Sequence, residues 1–432
     1  MSRVLVLGAY GLIGAGVAQA LARAGHHVTG FGRSAVSAAA VAGVATWRLG
    51  DLRDMTAPER WQTVLAGVDI VVNCAGALQD GPEDDLTLVH DTAIDALARA
   101  CAAAGVGVVQ VSAAGASADA STLFMRSKFA GDQAVIRSGA PHWILRPGLV
   151  IAPTAYGGTA LLRMLAAVPL VQPVALGDTR IQTIGLGDLA DAVVQCVAGY
   201  IPSGTVADLV ADEVLTLREL LRDIRGWLGF APARAEVNLP GWLLSSVATC
   251  ADFLGRLGWR SPLRRTALDV LKQGVTAESG QWRAAGGAAL APLRDTLHSC
   301  PARAEDRLAA RMSLLMPVVV ATLVVFWLTS GVIGLVSLGG ASRVLTETGW
   351  PFALAALSVG VWSLVDIALA LLLAWRKTAR LAVPGMIATA LFYLVAATLF
   401  TPALWLDPLG PLVKILPAAV LALVALPMLA KR

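Results

Sequence analysis

Lys128 stands four residues after Phe124 in the stretch Ser121-Thr-Leu-Phe-Met-Arg-Ser-Lys128. On a helix that spacing places both side chains on one face, a turn apart. A phenol at the first position beside an ammonium at the second would be a proton-transfer pair, the charge lowering the phenol's pKa. Here the lysine is present and the phenol is a benzene ring, which has no proton to give. Ser112 could still hydrogen-bond a carbonyl, but a hydroxyl alone is a poor general acid. Tyr156, Asp119 and His90 either are other groups that could carry a proton or are ordinary loop and surface residues. A reaction that takes a hydride and draws its protons from water, as quinone or flavin reduction can, would need none of them.

The element that positions such chemistry begins at the N-terminus. The apolar run Arg3–Leu7 is followed by Gly8, Gly11 and Gly14, then by an Ala-rich amphipathic stretch ending at Gly25 and a second apolar run, His27–Phe31. Strand, glycine loop, helix and strand within about 30 residues is the βαβ context of a dinucleotide site. Gly8 permits the tight turn, Gly11 lets the backbone approach a pyrophosphate, and Gly14 lets the helix pack on the strand. The helix N-terminus offers free N–H groups to the phosphates. Arg33, just past the second strand, suits a 2′-phosphate where an acid would suit ribose hydroxyls. NADP(H) is therefore the preferred cofactor, with NAD(H) the alternative.

The alternation continues. Strands are expected at Thr46–Leu49, Asp69–Asn73, Val106–Ser112 and His142–Arg146, with helices over about Asp84–Ala104 and Thr122–Ser138. Repeated βα units predict an α/β Rossmann domain, a doubly wound parallel sheet, with its ligand at the carboxyl ends of the strands. The nucleotide-binding domain is expected over residues 1–155, with a return segment at about 180–200. A small substrate-side subdomain and linker follow over 156–310, with amphipathic helices at Leu215–Leu228 and Trp242–Leu257. The basic or mixed-charge stretches Ser261–Arg265 and Ala302–Arg307 are either solvated helix ends or segments drawn to anionic lipid.

The composition then changes. The chain of 432 residues is 56% hydrophobic and 15% charged, with net charge +4 and mean hydropathy +0.68. So few charges predict that part of it sits in lipid. Leu314–Leu338, Pro351–Trp375, Leu381–Thr401 and Gly410–Ala430 each reach the roughly 20 residues that cross a bilayer core, making an all-α four-helix transmembrane domain over residues 312–432. Arginines and lysines gather before the first span, between the second and third (Arg376, Lys377, Arg380) and after the fourth (Lys431, Arg432). The positive-inside rule puts the N-terminal domain and the C-terminus in the cytoplasm of a bacterial-type inner membrane. Asp366, mid-span, is either a functional carboxylate or a packed, hydrogen-bonded one; Lys414 snorkels to the surface. The five cysteines are spaced as reduced, mostly buried thiols. The five histidines show no metal-ligand spacing, and the modest charge gives no reason to expect nucleic acid. The partners expected are the bilayer, a small or lipophilic substrate and a membrane-complex protein.

Gly8, Gly11 and Gly14, Asp51 with Leu52, Asn73 to Gly76, Ser112, Phe124 with Lys128, and Leu145 to Val150 together resemble the extended and atypical short-chain dehydrogenase/reductases. The branch resembled is the NAD(P)H-binding one of NmrA-type proteins and of an accessory subunit of respiratory complex I. The resemblance covers roughly residues 1–200 and continues weakly to about 305. Asp407 to Lys414 with Leu416 and Pro417 are similar to DoxX-like four-helix domains. The resemblance implies that Gly8, Tyr10, Gly11, Leu12, Ile13 and Gly14 hold the pyrophosphate end and that Asp51 and Leu52 contact the adenine. Ala75 and Gly76 would line the cofactor floor, Lys128 would bond the nicotinamide ribose, and Pro147, Gly148 and Leu149 would border the nicotinamide. Lys128 and Ser112 are the catalytic candidates it leaves. Phe124 departs from the family pattern and puts alcohol–ketone chemistry in doubt. Two readings follow: an oxidoreductase with a quinone-like or lipid-borne acceptor, or an NADP(H)-binding regulatory or structural module without turnover. A nucleotide-sugar epimerase or dehydratase is a third, and would need the phenol that is missing.

Overall fold

The computed structural model describes residues 1–76, 85–259, 265–408 and 410–429. It divides into two units, Met1–Cys250 with Pro262–Arg307, and Ala251–Ser261 with Leu308–Arg432.

The first unit alternates strand and helix: β1 (Arg3–Leu7), α1 (Leu12–Arg23), β2 (His27–Gly32), α2 (Ala35–Ala39), β3 (Thr46–Leu49), α3 (Pro58–Leu65), β4 (Ile70–Asn73), α4 (Ala93–Ala104), β5 (Gly107–Val111), α5 (Leu123–Arg137) and β6 (His142–Pro147). There follow β7 (Leu149–Ile151), α6 (Gly158–Ala166), β8 (Val171–Val174), β9 (Arg180–Ile181), β10 (Thr183–Gly185), α7 (Leu186–Val197), β11 (Thr205–Leu209), β12 (Leu215–Thr216), α8 (Leu217–Trp227), β13 (Ala235–Asn238), α9 (Gly241–Arg256), α10 (Arg265–Gln273), α11 (Gly280–Ala284) and α12 (Leu293–Ser299). Seven strands make one sheet in the order β11-β6-β5-β4-β1-β2-β3, every pair parallel.

Both faces of this sheet are covered, which is why its strands are nearly continuous apolar runs. On one side Val4, Val6, Val72 and Val109 pack against Val17 and Leu21 of α1 and Leu189 and Val193 of α7. On the other, Leu5, Leu7, Val71 and Val108 meet Trp61 of α3, Ile94 and Leu97 of α4 and Val135 of α5. This is the doubly wound Rossmann arrangement. The seventh strand, β11, was not among the expected ones: it is an edge strand, TVADL, whose polar Asp208 hides the pattern. The helix expected over about Asp84–Ala104 is helical from Leu86 onward (Asp84 itself lies outside the described residues), with a π-helical turn, Leu88–Thr92, leading into α4. Beyond the sheet, the strands pair two by two as β10-β7, β12-β9 and β13-β8. The helix α8 starts in a capping box, Thr216 and Glu219 bonding each other's backbone N–H, and buries Leu217, Leu220, Leu221 and Ile224. Of the basic stretch Ser261–Arg265, residues 261–264 lie outside the described residues.

The second unit is helical, taking the end of α9 from Ala251 and α13 (Ala304–Val336) from Leu308, with α14 (Leu338–Thr346), α15 (Phe352–Ala374), α16 (Ala379–Phe400) and α17 (Pro411–Met428). Four of these, all but α14, are long and apolar enough to cross a bilayer. The α13 helix starts ten residues before the expected span. Its 33 residues extend about 50 Å, against a hydrocarbon core of about 30 Å, so the turns bearing Glu305, Asp306, Arg307 and Arg311 stand outside the core. The α14 helix, in the loop after the first span, was not foreseen. Large apolar side chains such as Ile333, Leu357, Leu364, Leu371, Leu381 and Leu399 point outward, as lipid-facing residues do. Within the bundle, Asp366 is buried and accepts from Ser330 Oγ at 2.9 Å and from the Tyr393 hydroxyl at 2.7 Å. Lys414 is exposed in the first turn of α17. Arg376 and Arg380, between α15 and α16, both donate to the Leu429 carbonyl at the end of α17 (3.1 and 2.8 Å). That loop and the end of the fourth span therefore share one face. Lys431 and Arg432 lie outside the described residues. The five cysteines are free thiols; Cys101 and Cys196 are buried, Cys74 and Cys300 are half-buried and Cys250 is exposed, so full burial holds for two of the five.

Candidate nucleotide site

The sheet order reverses at β1, which has β2 on one side and β4 on the other. A crevice opens outside the carboxyl ends of the strands at such a switch point, and the glycine loop lies there. Gly8 has φ +69°, a left-handed conformation in which a side chain is strained. A Cβ on it would stand 2.9 Å from Ala75 Cα, so the loop after β1 touches the loop after β4. Gly11 is the N-cap of α1 and no side chain caps the helix, the form of a helix N-terminus that can take an anion on its first-turn N–H groups, here Leu12 and Ile13. A Cβ at Gly14 would strike the Gly8 carbonyl. Three glycines thus make a cradle that side chains would fill, and a dinucleotide pyrophosphate fits it.

Tyr10 ties this loop to the end of β2. Its ring stacks on Trp47 with centroids 6.1 Å apart, and its hydroxyl accepts the Arg33 backbone N–H at 2.9 Å. The Arg33 guanidinium is 3.9 Å from Asp51 Oδ2. Asp51 also takes the Arg53 guanidinium on both oxygens, the shortest contact being 2.7 Å. Burial acts to raise the Asp51 carboxyl, but the bonds and charge of Arg53, with Arg33, outweigh it and hold the group below its ordinary value. Leu52 is buried beside it. Two arginines and one carboxylate therefore meet at the expected adenosine end.

At the other end, Asn73 accepts from the Ala75 N–H (3.0 Å) and donates to Gln110 (2.8 Å), which shapes the turn carrying Ala75 and Gly76. A Cβ at Gly76 would lie 3.1 Å from His90 Nε2 and 3.2 Å from Lys128 Nζ. The two nitrogens converge on this glycine. Thr122 caps α5 and sets the phase that buries Lys128, whose ammonium donates to the Val111 carbonyl at 3.2 Å. Burial lowers the Lys128 pKa, opposed by the charge of Asp132 one turn on. Asp132 is fully buried and accepts from Ser112 Oγ and Arg146 Nε, each at 2.9 Å. Burial raises its pKa, opposed by Arg146 and Ser112. The Ser112 hydroxyl proton is thereby directed at Asp132.

Gly131 explains how His90 arrives: a Cβ there would collide with the His90 carbonyl, so α5 lies directly against the π-helical turn. His90 is buried, 5.7 Å edge-on from the Phe124 ring. Its Nδ1 is 3.0 Å from Ser127 Oγ, whose own proton goes to the Phe124 carbonyl. Nδ1 is therefore held at Ser127, and Nε2 lies on the side of the ring that faces Gly76. Burial, then the Lys128 charge, push the His90 pKa well down, so the ring is neutral. Of the three other proton carriers considered from sequence, His90 is the one beside Lys128; Tyr156 is 67% exposed and Asp119 is exposed. Gly148, between Pro147 and Leu149, is wedged so tightly that a Cβ would stand 2.6 Å from the Gln182 carbonyl, which joins β6 to the return segment. Asp132, Arg146 and Gly131 were missed in the sequence. Asp132 had a signal, its i,i+4 spacing from Lys128, and Arg146 had one in its place at the carboxyl end of an expected strand; Gly131 had none.

A family model described as NAD(P)H-binding matches residues 8–198, and a DoxX-like family model matches residues 324–423. No curated protein matches significantly. Among solved structures, the NADPH-dependent quinone oxidoreductase of Escherichia coli, complexed with NADPH, is 20% identical over 69% of this chain and 99% of its own, with TM-score 0.53. The triphenylmethane reductase of Citrobacter sp., complexed with NADP(H), is 21% identical over 69% and 99%, also with TM-score 0.53. The Bordetella bronchiseptica enzyme WbmG, in complex with NAD and UDP, is 17% identical over 69% and 93%, with TM-score 0.51. At such identities the likeness is one of fold. The chain thus joins, at family level, an N-terminal Rossmann NAD(P)-binding domain to a C-terminal DoxX-like helical domain.

Proposed function

We propose that this protein is a membrane-anchored oxidoreductase that prefers NADP(H) and passes reducing equivalents to a quinone-like or lipid-borne acceptor. The observation that carries the reading is the convergence of Lys128 Nζ and His90 Nε2 on Gly76, beside a glycine cradle and on the same chain as four apolar spans. Gly8, Gly11, Leu12, Ile13 and Gly14 would hold the pyrophosphate, Asp51 and Leu52 the adenine, and Lys128 the nicotinamide ribose, with Ala75, Gly76, Pro147, Gly148 and Leu149 as walls. Bound NADPH would supply a hydride. A quinone-like acceptor takes its protons from water, so the absent phenol is no obstacle. Lys128 and His90 would orient the site, and the one proton that completes reduction after hydride transfer would come from water. The basic face formed by Arg376 and Arg380 would be cytoplasmic.

The test is NADPH oxidation by the full chain in lipid nanodiscs, with menadione or decylubiquinone added. Turnover that needs the acceptor supports the reading; a protein that binds NADPH yet stays inert with both would defeat it. Arg33→Ala should weaken NADPH about tenfold with NADH little changed, as for a lost phosphate contact. The second reading, a binding module without turnover, is favoured by Phe124 and by the Ser112 proton being directed at Asp132. Phe124→Tyr separates the two: carbonyl reductase activity appearing only in the variant would favour the module.

A further inference from the structure

The α9 helix crosses the boundary between the two units, and from Ala251 the chain belongs to the helical one. At 3.6 residues per turn its residues fall into three arcs. Ala248 and Ala251 are buried, with Leu244 and Gly255 partly so; this is the packed side. Ser245, Thr249 and Arg256 form an exposed polar arc. The third arc is exposed and apolar: Trp242 (71%), Phe253 (58%), Val247 (38%) and Leu254 (37%), with Cys250 among them. Its polar member, Ser246, donates its hydroxyl back to the Trp242 carbonyl, so it asks nothing of water.

What covers this arc follows from where the helix ends. Trp259 Nε1 donates to the Ala374 carbonyl at 2.7 Å, and the Arg376 N–H donates to the Leu257 carbonyl at 3.0 Å. The Arg376 guanidinium lies 5.4 Å from the Trp259 ring centroid. Ala374 and Arg376 sit at the turn where α15 leaves the bilayer and α16 re-enters it, and Arg376 also holds the end of α17. The end of α9 is thus pinned at the level of the membrane interface. With its apolar residues on one side, α9 has the form of a helix that lies in the interface, not across the core.

We propose that α9 is an interfacial helix, its Trp242–Val247–Phe253–Leu254 arc seated at the boundary of lipid headgroups and acyl chains, a fifth membrane contact beside the four spans. The occupant of the arc is lipid. Neither the nucleotide site nor the acceptor bears on this. The experiment uses the full chain in nanodiscs of phosphatidylcholine and phosphatidylglycerol, carrying a benzophenone photo-cross-linker in place of Phe253, with the same group at Ser245 as the polar-arc control. The expected result is a lipid adduct at 253 about tenfold more abundant than at 245, as for a side chain buried in the acyl boundary. Equal lipid labelling at both positions, or a cross-link from 253 to protein, whether a second copy or this chain, would overturn it. Should the label at 253 prevent folding, Val247, on the same arc, gives the same readout.

Discussion

At Gly8 a single hydrogen in place of a methyl lets the loop after β1 pass against Ala75. Its φ of +69° and its 2.9 Å clearance to Ala75 predict that Gly8→Ala incurs a left-handed strain of about 1–2 kcal/mol and an overpacking term of about 1–3 kcal/mol. NADPH affinity should fall at least about tenfold, as read by nicotinamide fluorescence. His90 makes a second prediction. Its folded pKa lies below its unfolded value near 6.5, so its burial stabilises the fold above that pH. As pH falls through 6.5 the unfolded state takes the proton first, and stability drops by up to about 1.4 kcal/mol per pH unit. Thermal melts of the full chain in detergent between pH 7.5 and 5.5 should show this slope, and His90→Gln should flatten it. An unchanged slope in the variant would show that other groups carry the acid response.

Among elements, small residues set how closely helices pack. In the helical unit, a Cβ at Gly331 would meet the Ser363 carbonyl and stand 2.7 Å from Ile367 Cγ1, so α13 and α15 touch backbone to backbone. Ser330 then reaches Asp366, and Tyr393 reaches it from α16. In lipid, where apolar side chains gain nothing by leaving one another's company for acyl chains, close packing and interhelical hydrogen bonds hold helices together. Gly331→Leu should force α13 away and break the Ser330–Asp366 bond. The expected outcome is a loss of about 1–3 kcal/mol in unfolding by denaturing detergent, with NADPH affinity unchanged. A variant that loses cofactor and bundle stability together would mean that Gly331 does more than space these helices.

At the scale of the whole molecule, the chain is a nucleotide-binding fold followed by four candidate spans. Arg376 and Arg380 meet the end of α17, so the second loop and the fourth span's end lie together. An even number of spans then returns the chain to the side from which it entered. Reporter fusions should read the N-terminus, the Arg376 loop and the C-terminus as cytoplasmic, and the loops at Arg343 and Asp407 as external. A fusion after α17 reading as external while the N-terminus reads as cytoplasmic would sink the four-span count, and both ends reading as external would sink the orientation.

The sheet and its switch point were legible because hydrophobic period, glycine spacing and βα alternation are local properties. The runs Arg3–Leu7 and Ile70–Asn73, Gly8 to Gly14, and four apolar stretches state their own structure. The edge strand β11 was not legible: half exposed and polar at Asp208, it is a strand only because β6 is there to pair with it. The candidate site divides in the same way. The cradle, Arg33 and the Phe124–Lys128 pair could be read from spacing alone. That His90 is the group beside Lys128, or that Ser112 gives its proton to Asp132, could not, since each pair is far apart in sequence and brought together by packing. By itself the sequence determined which segments fold as strands, loops and spans, because those depend on neighbours along the chain. Tertiary structure alone decided which side chains share a buried pocket, because burial and hydrogen-bond partners belong to neighbours in space.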